Sequence, residues 1–238
     1  MRILCSLFAV LLLASSCRFA GYHRVRGNGV LSKQERGLSN FQEVQVTGGM
    51  NVVLLQGAQA GVRVETDENL QEYVETEVNG NELHIHARPG YNLDERAGLT
   101  VYVTTASLRA LTVTGSGDVS SQGKIAGDGL KIEVTGSGNV ALALDMPSVE
   151  AQVTGSGTVR LSGNTRTFRS ETHGSGEIHA FDLLAEDTRV EVSGSGDAEV
   201  FASKQLNVEV SGSGDVAYKG TANVQQQVHG SGSVHKAN

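Results

Sequence analysis

The sequence predicts an all-β protein whose body is a parallel β-solenoid with about seven repeat coils. Three observations carry this. The triplet Gly-Ser-Gly occurs seven times, at Gly115–Gly117, Gly136–Gly138, Gly155–Gly157, Gly174–Gly176, Gly194–Gly196, Gly212–Gly214 and Gly230–Gly232, at intervals of 18 to 21 residues. Each triplet is flanked by segments that alternate apolar and polar residues, the two-residue period of a strand with one face buried. The composition has 30 Gly, 2 Pro and only 39% hydrophobic residues, which suits short strands joined by tight turns.

Two or three short strands and their turns fill 18 to 21 residues, the length of one coil. Two residues before the triplet, the inward column reads Val113, Val134, Val153, Thr172, Val192, Val210 and Val228. Two residues after it, the column reads Val119, Val140, Val159, Ile178, Ala198, Val216 and Val234. No coil buries its apolar side alone, so stacking makes the core. The triplet glycines turn the corner. Corner backbone needs φ > 0 or close approach, and coils about 4.8 Å apart leave little room for side chains. The intervening serines are expected to bond the neighbouring coils. In the last coil Gln226 stands where earlier coils have Ile132, Ala151, Ser170, Val190 and Val208, which fits a capping coil.

Residues 1–16 have the layout of an export signal. Arg2 precedes an apolar run from Ile3 to Leu13, followed by Ala14, Ser15 and Ser16. Cys17 comes directly after. The run Ala14-Ser15-Ser16-Cys17 resembles the lipobox of bacterial lipoproteins, with Ala14 where that motif usually has Leu. In such proteins the cysteine is acylated and becomes the mature N-terminus. The alternative is ordinary signal cleavage beside an incidental cysteine. Cys5 lies inside the signal, so Cys17 is the one thiol expected in the mature chain, and a disulfide framework is excluded. Residues 17–38 lack sustained alternation and are expected to form a tether to the membrane. The basic residues Arg18, His23, Arg24, Arg26, Lys33 and Arg36 would be solvated or lie near anionic headgroups.

Residues 39–106 are also expected to be β, as first coils or a cap. Phe41, Val44 and Val46 alternate, and Asn79-Gly80 signals a tight turn. The segment Val46-Thr47-Gly48-Gly49-Met50-Asn51-Val52-Val53-Leu54-Leu55-Gln56-Gly57, the turn at Asn79-Gly80-Asn81-Glu82-Leu83 and the glycine triplets resemble the head GIN domain family. Met50 stands where the Gly-Ile-Asn signature would have Ile. The resemblance spans residues 39–238, with 39–106 the less regular part and 107–238 the repeats. It implies a right-handed parallel β-helix, export, frequent lipid anchoring, an adhesin label and no enzymatic activity.

The residues offer no catalytic constellation. A formal net charge of −7 argues against nucleic-acid binding, which needs a basic face. No triplet continues into a phosphate loop, and no calcium-roll repeat recurs, so no cofactor is expected. His173 and His229 are three coils apart, as are His179 and His235, too far to share an ion. His84 and His86 share a strand face, read as an exposed face in preference to a metal site. The 5% aromatic content argues against a sugar-cleaving β-helix, which would need aromatic platforms beside an acid/base cluster.

One column stands out. Three residues before the triplet, Glu171, Glu191 and Glu209 are expected to stack about 4.8 Å apart. Arg169 and Arg189 lie two residues earlier on the same face. This is a solvated, charge-compensated face or a weak divalent-cation or basic-partner strip. The expected function is therefore a non-enzymatic lipoprotein of the cell envelope, anchored in the outer membrane through Cys17. Its β-helical surface would serve adhesion or bind protein or glycan. A periplasmic structural or assembly factor is the alternative, and a polysaccharide-processing enzyme the third reading.

Overall fold

The structure is a computed structural model that describes residues 22–38 and 40–237. The expected export signal and Cys17 lie outside the described residues. The chain forms a β-solenoid in which two parallel sheets are built from successive coils. One sheet holds the strands that precede each triplet: Ala110–Gly115, Leu130–Gly136, Ser148–Gly155, the second halves of Thr158–Gly174 and Glu177–Gly194, then Gln205–Gly212 and Asn223–Gly230. The other holds the strands that follow the triplets, from Asp118–Ala126 to Val234–Lys236.

The corners stack as the repeat requires. Gly115, Gly136, Gly155, Gly174, Gly194, Gly212 and Gly230 pair in one continuous register. The first glycine of each triplet has φ between +115° and +138°. The third glycine serves a different need. At Gly157 an added Cβ would meet the Gly138 carbonyl oxygen at 2.7 Å and Val134 at 2.8 Å. Conformation and close approach together fix the first glycine, and close approach alone the third. The serine between them bonds the coil below through its backbone N–H: Ser175 donates to Gly155 O and Ser195 to Gly174 O, each at 2.8 Å.

Both expected inward columns are buried from Val113 to Val210 and from Val119 to Val216. Each fully buried Val contributes on the order of 1.5–3 kcal/mol. Differences in coil length are absorbed as bulges in the second sheet. Ser120 pairs with Ala141 and Lys124 with Ala143, so the 21-residue coil carries two extra residues there. Arg160 pairs with His179 and Ser162 with Asp182, which accommodates one more residue in the 20-residue coil.

The N-terminal region continues the stack, but not in chain order. Gly48 pairs with Gly115, so Gly48-Gly49-Met50 forms the same corner as a triplet. That coil, Glu43–Gly48 with Asn51–Gln56, lies between the repeats and a lower level made by the later strands Glu82–Ala87 and Thr100–Thr105. Antiparallel strands finish this end. Val74–Asn79 pairs with Glu82–Ala87 through the expected turn beside Gly80, and Gly61–Asp67 bridges Thr100–Thr105 to Leu31–Arg36.

The expected tether is corrected from residue 22 onward. His23–Arg26 pairs with Tyr91–Asp94, and Leu31–Arg36 is a strand of the main sheet. These are polar edge strands. Their order comes from hydrogen bonds to distant backbone, which an apolar pattern does not reveal.

Candidate functional site

The outward face of the first sheet repeats its side chains in columns. Glu133, Gln152, Glu171, Glu191, Glu209 and Gln227 pair in register, as do Lys131, Glu150, Arg169, Arg189, Asn207 and Gln225. Alternation along each strand sets both columns on the same side, two residues apart.

The acidic column is therefore stacked as expected, and the arginines interleave with it. Arg169 pairs with Glu171 through Nε and reaches Glu191 through Nη2 at 3.5 Å. Arg189 Nε lies 2.6 Å from the same Glu191 oxygen. Glu191 thus accepts from two coils, which offsets repulsion between neighbouring carboxylates. The hydrogen bond to Glu171 raises the Arg169 pKa above its ordinary value, despite partial desolvation. Lys131 is raised the same way by Glu133, 2.5 Å away. Beside Glu209 the arginine is replaced by Asn207. Among the described residues, no group of three or more His, Cys, Asp or Glu converges as metal ligands would. His84 is paired with Glu82 at 2.9 Å, and His86 lies 3.8 Å from Glu75.

Two shallow hollows run along this face. One of about 320 Å³ lies over Phe168, Arg169 and Thr188, and one of about 420 Å³ over Glu209, Gln225 and Gln227. They meet at Arg189, Gln205 and Asn207. Their walls combine amide, guanidinium and carboxylate groups with apolar residues, Val149 and Phe168 in the first and Val190 and Val208 in the second. Such a surface can hydrogen-bond an extended polar ligand.

Two other positions are structural: His179, which the repeat pairs only with the distant His235, and Asp67. His179, on the second sheet, contacts Glu199 through Nδ1 at 2.7 Å and Glu177 through Nε2 at 3.0 Å. Burial alone would lower its pKa, but the two carboxylates outweigh it and raise the value. Asp67 is fully buried and accepts backbone N–H groups from Gly29 at 2.5 Å, Arg96 at 2.9 Å and Ala97 at 3.0 Å. Burial pushes its pKa up, and the amide bonds overcome this and hold it below the usual value. Asp67 thereby ties the segment before Leu31 to the cap. The signal for His179 lay in Glu177 two residues before it. Nothing local marked Asp67.

Comparison with known proteins places these features in context. A family model described as "Putative auto-transporter adhesin, head GIN domain" matches residues 40–222. A solved "putative adhesin" from Bacteroides fragilis NCTC 9343 shares the fold with a TM-score of 0.85 at 22% identity, covering 90% of this chain and 100% of that one. A "putative adhesin" from Parabacteroides distasonis ATCC 8503 gives 0.71 at 28% identity, and a "putative lipid binding protein" from the same organism 0.76 at 26%. Each covers 90% of this chain and all of its own. No curated protein matches the sequence.

Proposed function

The chain belongs to the head GIN domain family, and from that premise we propose that it is a non-enzymatic lipoprotein of the cell envelope that binds an extended polar ligand on the outward face of its first sheet. The observation that carries the reading is the in-register stack of Arg169/Glu171, Arg189/Glu191 and Asn207/Glu209 beside two joined hollows. Rigid strands fix these groups at a repeat of about 4.8 Å, so an extended peptide or glycan meets the same hydrogen-bonding set at each coil. The adhesin description of the family supports a cell-envelope or extracellular setting.

Anchoring rests on Cys17 beside the lipobox-like run. Cys17→Ala is expected to move the protein from the membrane fraction to the soluble fraction. Wild-type protein that is already soluble and begins at another residue would end the lipoprotein reading. A second reading, a structural or assembly role on the periplasmic face, is favoured by Arg18-Phe19-Ala20-Gly21. This run lacks the acidic residues that accompany surface export. Antibody labelling of intact cells separates the two: labelled cells support surface display, and labelling only after permeabilisation supports the periplasmic role.

A further inference from the structure

The two ends of the solenoid are finished differently. At the N-terminal end the outermost strands carry charge: Lys33, Glu35 and Arg36 on Leu31–Arg36, and Glu75 and Glu77 on Val74–Asn79. Charge on an edge strand discourages pairing with another chain. At the other end the last strand of the first sheet, Asn223–Gly230, pairs on one side only, with Gln205–Gly212, among the described residues. Its sequence, Asn-Val-Gln-Gln-Gln-Val-His-Gly, has no Asp, Glu, Lys or Arg.

The side chains that would point into a further coil are left open. Val224, Gln226 and Val228 continue the buried column Leu206, Val208 and Val210. Gln226 is exposed and Val228 is 37% exposed. One uncharged polar residue blunts this edge far less than the charges at the other end.

We propose that this edge pairs with the same edge of a second copy of the chain, making a two-fold dimer end to end. Pairing is antiparallel by symmetry. Residues opposite each other must face the same side of the sheet, so only registers that pair even positions with even ones keep both cores continuous. The register centred on Gln226 sets Val224 opposite Val228 of the second copy and Gln226 opposite its own equivalent. A primary amide has both donor and acceptor, so two symmetry-related Gln226 side chains satisfy each other in the middle of the joined core. Outside, Gln225 meets Gln227. The charged, antiparallel cap at the opposite end stops the contact from propagating, so the assembly closes at two copies. The contact leaves the Arg169 and Arg189 rows uncovered and does not depend on the ligand-binding reading.

Sedimentation of the exported chain carrying C17A tests the proposal. The parent is expected to be a dimer. Q226K and Q226E place like charges opposite each other, so each alone should be a folded monomer whose melt no longer depends on protein concentration, and an equimolar mixture should recover the dimer. In the same background Q226C provides the only thiol of the mature chain and should give a covalent dimer with a short bis-maleimide, because cross-strand Cβ atoms lie about 4.5–5.5 Å apart. A monomeric parent, single variants that stay dimeric, or a mixture that stays monomeric would each overturn the proposal. A parent that is monomeric alone but takes up an added strand peptide also counts against it.

Discussion

Gly174 lies directly over Gly155, so that a Cβ added at Gly174 would stand 2.7 Å from the Gly155 carbonyl oxygen, at a φ of +115°. Both reasons for glycine meet there. At Gly123 φ is +87° but an added Cβ has open space, so conformation alone is restrictive. Gly174→Ala is therefore expected to cost more than Gly123→Ala. Conformational strain is about 1–2 kcal/mol in each, and the backbone clash adds to it only at Gly174. Thermal melts check the order; equal shifts would mean that the corners are not tightly stacked.

Thr172 occupies a column that is otherwise Val, and its buried hydroxyl has no hydrogen-bond partner. Thr172→Val keeps the shape and removes that group. Stability should rise by about 1 kcal/mol, a melting-point gain of about 2–4 °C for a chain of this size. A loss of stability would imply a partner for the hydroxyl.

Much of the repeat body was legible in the sequence because each coil declares itself locally, through a glycine corner between alternating segments. The features that escaped depend on partners far along the chain. Leu31–Arg36 has little apolar signal because one edge and one face are exposed, and its partner begins at Gly61. Gly163 and Gly220 turn a second corner without a triplet, with φ of +112° and +104°, against the backbone of Leu144 and Ala202. A lone Gly in a strand pattern was the available signal for that approach. The columns of the acidic strip could be counted from the repeat. That Arg169 reaches across to Glu191 required the register.

Asp67 should make acid stability distinctive. Its pKa is lowered in the folded state, so its contribution is present above the unfolded value of about 3.9 and lost as pH falls through the lower folded value. Asp67→Asn should cost about 1–3 kcal/mol at pH 7, and the gap to wild type should narrow by pH 2. Urea unfolding at both pH values checks this. A gap independent of pH would contradict the assignment.

His179 should act with the opposite sign. Its pKa is raised in the folded state, so its contribution is present below the unfolded value of about 6.5 and lost as pH rises through the higher folded value. His179→Asn should lower the melting point more at pH 5.5 than at pH 9. The reverse trend would show that Glu177 and Glu199 do not hold the imidazolium.

The proposed binding of a polar ligand to the outward face of the first sheet can be measured directly. The measurement is binding of the purified chain to arrays of glycans and peptides, with Arg169→Glu/Arg189→Glu as the comparison. Both arginines are about half exposed, so the fold should be retained, with the melt lowered by the added carboxylates beside Glu171 and Glu191. Wild type should bind, and the double variant should lose at least about tenfold in affinity, roughly 1.4 kcal/mol. Ligand binding that is equally strong in the double variant would contradict the proposal.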